Sequence, residues 1–391
     1  MIRILENFVP KNYNLWLFSL DKGGGSRFAG NSWYLYNYVK NNHPEIRALC
    51  VTSSNFVKQK LKRNNGDYFS PNSFRSFITA LRAGVYICTN ELHEDIINFS
   101  KKNTYKVNVW HGMIIKKIGY ASPLIRERVK NRSFLSRFRE ILLRKVKLNE
   151  YDFIPCTSKN LVEVFKKTFS TSKIFVTGQP RDDFFFKKVD RNIILEKYGF
   201  ENLIDKKIIC YLPTHRDIRK VDEKYFIFEN NQVAQEKLKE NNLFILQKNH
   251  YTKVDRIKVN KNIYNLNDDF DVQELLYISD ILITDYSSCY FDYLHTQRPI
   301  IFYPYDFKDY TTYDRELYFD YFDDIVSPGQ KVNNEKELLS TILFYHNNPS
   351  IDAEKRKNSL KFFHEKSDGN SSKRTFMALV NDLNVNNYFV K

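Results

Sequence analysis

The chain has 391 residues, 42% of them hydrophobic and 16% aromatic, which is enough apolar material for two buried cores and too much for a disordered polypeptide. Lys and Arg number 61 against 46 Asp and Glu, and the net charge of +15 attracts nucleotide phosphates, nucleic acid or anionic lipid headgroups without choosing among them. No run reaches the roughly 18 to 20 apolar residues of a membrane-spanning helix, and Glu6, Pro10 and Lys11 interrupt the stretch where a signal peptide would be apolar, so a cytoplasmic protein with at most peripheral membrane contact is expected.

From the N-terminus, short apolar runs alternate with helical patterns: NLWLFSL, the helix-like SWYLYNYVKNN, then IRALCVT, GVYICT and KVNVWHG. After a basic stretch the rhythm resumes with YDFIPCTS, KIFVTGQPRDD, KKIICYLPTHRD, LFILQKNH, NIYNLN, DILITDYSS and PIIFYPYD, and terminal helices follow Pro349. The runs are apolar at consecutive positions, as strands covered on both faces require, so two doubly wound α/β domains are predicted. The Gly, Pro and charges of GQPRDD mark the boundary: a first domain over 1–176 and a second over 177–391 that carries the terminal helices. The five cysteines are odd in number, scattered and never at zinc-site spacing, and they read as buried thiols.

In open parallel sheets ligands collect beyond the carboxyl ends of strands, so the polar residues that follow each run carry the functional reading. His111 and Gly112 follow a strand, with Lys116 and Lys117 about one helical turn beyond; the imidazole can exchange a proton near neutrality and the lysines can neutralise phosphate charge. A hydrogen-bonded structural histidine explains His111 equally well. In CYLPTHRD, Thr214 offers a hydroxyl and Arg216 a fork for phosphate, the alternative being a turn with a salt bridge. Lys248 and His250 close another strand. DILITDYSS runs from a strand through Asp285, Ser287 and Ser288 into a helix, where hydroxyls and unpaired amides can cradle a diphosphate or simply cap the helix. The glycine-rich KGGGSRFAGNS fails both nucleotide fingerprints: Asn31 and Ser32 follow Gly30 where a P-loop needs Lys and Ser or Thr, and Phe28 stands where a dinucleotide site needs its third glycine. It reads as a loop on the acceptor side, with Asn31 its candidate contact.

Residues 126–147 carry nine Lys and Arg, among them Arg132, Arg137, Arg139, Arg144 and Lys145, against Glu127 and Glu140. Phe134, Leu135, Phe138, Ile141, Leu142 and Val146 recur at helical spacing, the pattern of an interfacial amphipathic helix or of one packed inward. No nucleic-acid module accompanies the charge, so nucleic acid is not an expected partner.

Together these stretches resemble the CDP-glycerol glycerophosphotransferase family, the teichoic-acid primases and polymerases of bacterial envelopes and their capsule-synthesis relatives. WHGMIIKKIG, GQPRDD, LPTHRD and ITDYSSCYFDY match that family's segments in order, and RFAGNSWYLY resembles its N-terminal segment; Met113 stands where the family has Thr, and His215 where it has Trp. The resemblance implies a GT-B-like fold, two Rossmann-type domains facing a central cleft, with the acceptor on the first domain and the CDP donor on the second. It implies His111 and His250 as catalytic and Arg216, Ser287 and Ser288 as donor-phosphate contacts, to which Lys116, Arg181, Thr214 and Asp285 are added as donor-side candidates. The implied partners are CDP-glycerol or a related CDP-polyol, a lipid-linked glycan or polyol-phosphate acceptor, and an anionic inner membrane surface touched by 126–147. No cofactor is implied; Asp285 and Asp292 are the carboxylates a divalent ion would use, but the resemblance does not demand one. A GT-B glycosyltransferase using a nucleotide sugar is the rival reading, and a non-catalytic basic membrane-binding protein a more distant one.

Overall fold

The computed structural model describes residues 9–19, 29–52, 54–63, 65–70, 74–90, 103–118, 121–122, 151–214, 216, 226–248, 257–258, 261–266 and 270–385. The chain divides into two compact units, the first formed by residues 1–112, 132–186 and 365–391, the second by 113–131 and 187–364.

In the first unit β1 (Asn12–Ser19), β2 (Arg47–Val51), β3 (Tyr68–Phe69), β4 (Ala83–Cys88) and β5 (Tyr105–Asn108) form a parallel sheet in the order β3-β2-β1-β4-β5. Every residue of β4 is buried, as a strand covered on both faces must be. β6 (Ile154–Cys156) and β7 (Ile174–Val176) pair in parallel, and a bridge from Phe153 to Val107 ties them to β5. Helix Asn31–Asn42 buries Tyr34, Leu35, Tyr36 and Val39. They join a core with Trp16, Phe18, Val85 and Val107.

The second unit is a seven-stranded sheet in the order β10-β11-β9-β8-β12-β13-β14, made of β8 (Lys207–Leu212), β9 (Leu243–Lys248), β10 (Ile257–Lys258), β11 (Ile263–Leu266), β12 (Ile281–Thr284), β13 (Ile300–Phe302) and β14 (Gln330–Lys331). All neighbours are parallel except β10 on β11. The chain winds outward from β8 in one direction and from β12 in the other, so the carboxyl ends of these two neighbours form the topological switch point at which such sheets bind ligands.

Each apolar run singled out in the sequence contains a strand. The division of the chain differs from the one expected. β7 and the GQPRDD turn belong to the first unit, and residues 113–131 to the second. The terminal helix Ser371–Val385, assigned in the sequence to the second domain, buries Phe376, Leu379 and Leu383 in the first unit's core against Trp16 and Tyr36. Asp183 at the end of GQPRDD accepts the Ser371 and Ser372 amides at 2.6 and 2.8 Å, which caps that helix. Gly178 permits the docking: its φ is +87°, and a Cβ there would lie 2.4 Å from Ser371 Oγ. Cys50, Cys88, Cys156 and Cys210 are buried thiols, and Cys289 is a half-buried one. Among the described residues no helix is long and apolar enough to cross a membrane.

Candidate active site

His111 is held by the main chain around it. Beyond β5 the Val109 amide donates to the Cys88 carbonyl at 3.0 Å and the Trp110 amide to Asn108 Oδ1 at 2.9 Å. Trp110 then takes φ +52°, a left-handed conformation uncommon for a bulky residue, with its indole against Phe169 and the His111 ring. The His111 carbonyl accepts from Arg181 Nη1 at 2.7 Å. His111 is half-buried, as a group that exchanges protons with a ligand needs to be.

Two residues expected to touch substrates are occupied with protein instead. Asn31 is 0% exposed, its Nδ2 donates to the Val109 and Trp110 carbonyls, and its Oδ1 accepts the Arg181 amide. Arg181, expected on a donor phosphate, is buried with its guanidinium on the His111 carbonyl. The hydrogen bonds that decide this span 70 to 150 positions, beyond any local motif.

In the second unit, Lys116 bridges Leu317 in antiparallel fashion and its ammonium stands 5.9 Å from the Tyr310 ring centroid. Lys117 pairs with Glu316 at 2.6 Å.

At the switch point β8 and β12 are fastened to each other. The Thr214 amide donates to both oxygens of Asp285, at 2.8 and 3.1 Å. Arg216, 4% exposed, reaches Asp285 Oδ2 through Nη1 at 2.9 Å and takes Asp306 with Nε and Nη2, both at 2.9 Å. Nη1 also donates to the Thr214 carbonyl. Tyr286, Tyr305 and Tyr310 place ring centroids 5.3, 5.7 and 4.9 Å from the guanidinium carbon, and the Tyr286 hydroxyl donates to Asp306 Oδ1 at 3.2 Å. Burial works against the Arg216 charge, but the Asp285 and Asp306 carboxylates outweigh it and hold the guanidinium above its ordinary pKa. Burial, reinforced by Asp306 and Asp285, pushes the Tyr286 phenol up, so it stays a donor.

Arg216, read from sequence as a phosphate fork, therefore spends its planar donors on two carboxylates and braces the switch point. Asp285, expected beside the donor, is 0% exposed and belongs to the same brace. Asp292 accepts from Gln273 Nε2 at 2.9 Å. Asp306 and the tyrosines were missed by the sequence reading; the available signal was a charged residue at the end of the apolar run PIIFYPYD, the pattern used for the other motifs.

Three hydroxyl side chains lie just beyond β8 and β12. Thr214 is 6% exposed and its Oγ1 has no hydrogen-bond partner among the described residues, an unmet demand a ligand oxygen would satisfy. Ser287 and Ser288 are half-buried ahead of the short helix Cys289–Tyr293, and the Ser288 side chain makes no capping hydrogen bond, which removes capping as the reason for that hydroxyl. His250, His215, the glycine-rich segment 22–28 and the basic residues Arg132, Arg137, Arg139, Arg144 and Lys145 lie outside the described residues.

The family described as CDP-Glycerol:Poly(glycerophosphate) glycerophosphotransferase matches residues 2–381. The chain belongs to that family. This transferase is 27% identical over 345 residues to the teichoic acid poly(glycerol phosphate) polymerase of Bacillus spizizenii, covering 85% of this chain and 84% of the relative. It is 28% identical over 327 residues to the teichoic acid glycerol-phosphate transferase of Staphylococcus aureus, covering 81% of each. The wall teichoic acid polymerase TagF superposes on the transferase with a TM-score of 0.77 at 21% identity, over 98% of this chain and 94% of that one, which shows the two-domain, GT-B-like Rossmann fold. Glycerol-phosphate transfer from CDP-glycerol is the activity class of the transferase.

Proposed function

We propose that this enzyme moves glycerol phosphate from CDP-glycerol to a hydroxyl of a lipid-linked teichoic-acid acceptor and releases CMP. One observation supports this donor position above the others: the polar residues Thr214, Ser287 and Ser288 share the switch point of the second unit's sheet. The acceptor oxygen attacks the β-phosphorus, the bond from that phosphorus to the bridging oxygen of CMP breaks, and the electron pair leaves with CMP. His111 takes the acceptor proton, a contribution of roughly 100- to 10,000-fold for a positioned base. His250, which matches the family's second histidine, donates to the leaving phosphate. The Thr214 hydroxyl and the amides and hydroxyls of Ser287 and Ser288 take the phosphate oxygens, and Lys116 supplies positive charge. Arg216 and Asp285 keep these loops in register without touching the donor, and Asn31 and Arg181 act from within the protein.

The basic segment 126–147 suits attraction to the anionic cytoplasmic leaflet, where each Lys or Arg near the surface contributes about 1 kcal/mol. That attraction supports a position at the inner face of the membrane, beside a lipid-linked acceptor.

The test is nucleotide release from CDP-glycerol, CDP-ribitol and UDP-glucose with a bacterial lipid extract as acceptor, for wild type and His111→Ala. CMP release from CDP-glycerol, reduced roughly 100- to 10,000-fold in the variant, is the expected result. UDP release alone would convert the reading to glycosyl transfer. A second arm sediments the protein with anionic vesicles: Arg137→Glu with Arg139→Glu abolishes pelleting, and undiminished pelleting would remove the membrane role of this segment.

A further inference from the structure

We propose that Asn31 is a positioning residue for His111. Asn31 meets no ligand, since its side chain is fully buried. Its three hydrogen bonds converge on the main chain that carries His111. Nδ2 donates to the carbonyls of Val109 and Trp110, both at 3.0 Å, and these are the two residues before the histidine. Oδ1 accepts the Arg181 amide at 3.2 Å, and the Arg181 guanidinium in turn donates to the carbonyl of His111 itself. One amide therefore restrains both residues before His111 directly and the His111 peptide through Arg181.

The restraint acts where the backbone needs it. Trp110 stands at φ +52°, a conformation that persists in a bulky residue only when its surroundings over-determine it, and the Asn31 amide grips the carbonyls on both sides of that torsion. The grip is mounted on a rigid element, because helix Asn31–Asn42 begins with this residue and is anchored in the core by Leu35, Tyr36 and Val39. The chemistry selects asparagine. A carboxamide offers two donors and an acceptor on one short side chain, whereas aspartate keeps the acceptor and loses both donors.

The inference rests on His111 as the base, and the experiment separates failure of one from failure of the other. CMP release from CDP-glycerol is compared for wild type, Asn31→Ala, Asn31→Asp, His111→Ala and the double variant Asn31→Ala with His111→Ala, and thermal melts identify variants that fail to fold. Asn31→Ala lowers kcat by about 100-fold, as a misplaced catalytic group does. KM for CDP-glycerol stays within about twofold, because donor binding is untouched. Asn31→Asp does not restore the rate, and the double variant is no slower than His111→Ala. Additive losses, or a raised KM at unchanged kcat, would overturn the proposal. A second readout needs no turnover: the His111 ring resonance of histidine-labelled protein, assigned by its loss in His111→Ala, shifts or broadens in Asn31→Ala while the His43 and His364 signals hold. An unchanged His111 signal would overturn the proposal even if CMP release were never detected, and absence of CMP release from wild type would count against the functional reading alone.

Discussion

At the scale of single residues, Arg216 shows how a motif and its environment can give different roles to one side chain. An arginine after an apolar strand has the chemistry of a phosphate clamp, and the local sequence, with Asp217 beside it, offers only a turn with a salt bridge as the alternative. Its partners Asp285 and Asp306 arrive from other strands, the second from 90 positions away. Once the fork is bidentate on Asp306 and paired with Asp285 in a buried site, releasing it to a ligand would strand two carboxylates. Arg216→Ala should therefore cost stability, about 3–5 kcal/mol for a broken buried ion pair, read from urea denaturation. Asp306→Asn keeps the shape and an acceptor and should cost less. A loss of CMP release in Arg216→Ala with stability untouched would return Arg216 to the donor site. Thr214 is the opposite case, since its buried hydroxyl has no hydrogen-bond partner among the described residues, which supports the ligand-facing role proposed for it.

At the scale of elements, the strands were legible and the docking of the helices was not. A parallel strand buried on both faces must be apolar at successive positions, and GVYICT, KKIICYL and DILIT declare this without help from the rest of the chain. β3, β10 and β14 passed unnoticed because two residues at or near a sheet edge carry no pattern. The terminal helix has a readable apolar stripe, but a stripe states that a helix must be covered and not which core covers it. Its seat depends on Asp183, whose carboxylate takes two amides at the helix start from 188 positions away in sequence. Asp183→Ala removes that cap and should lower stability by about 0.5–2 kcal/mol, measured as a fall in melting temperature, with Asp183→Asn, which keeps one of the two acceptor oxygens, falling between that variant and wild type. Equal losses in both variants would show that a single acceptor does not hold the helix start.

For the whole molecule, burial of ionisable groups makes stability depend on alkaline pH. Burial pushes the Cys156 thiol up from 9.0 to about 12 and Cys289 to about 11. A folded pKa raised above the unfolded value contributes stability that is complete below pH 9, where both states keep the proton, and is lost as pH rises through the folded values. Denaturation midpoints should thus hold up to about pH 9 and fall steeply above it. The same burial predicts slow reaction of the Cys156 thiol with an aromatic disulfide reagent at pH 8 and rapid reaction on unfolding. Fast native labelling of Cys156 would contradict both statements.

The sequence by itself determined the α/β class, the succession of the longer strands along the chain and the family, because each depends on short-range periodicity or on motifs whose residues adjoin. Tertiary structure alone decided which unit each segment joins and which polar side chains face inward. Asn31, Arg181, Arg216 and Asp285 are hydrogen-bonded across 70 positions or more, and a buried polar group takes its role from the partner that satisfies it, which local sequence does not contain.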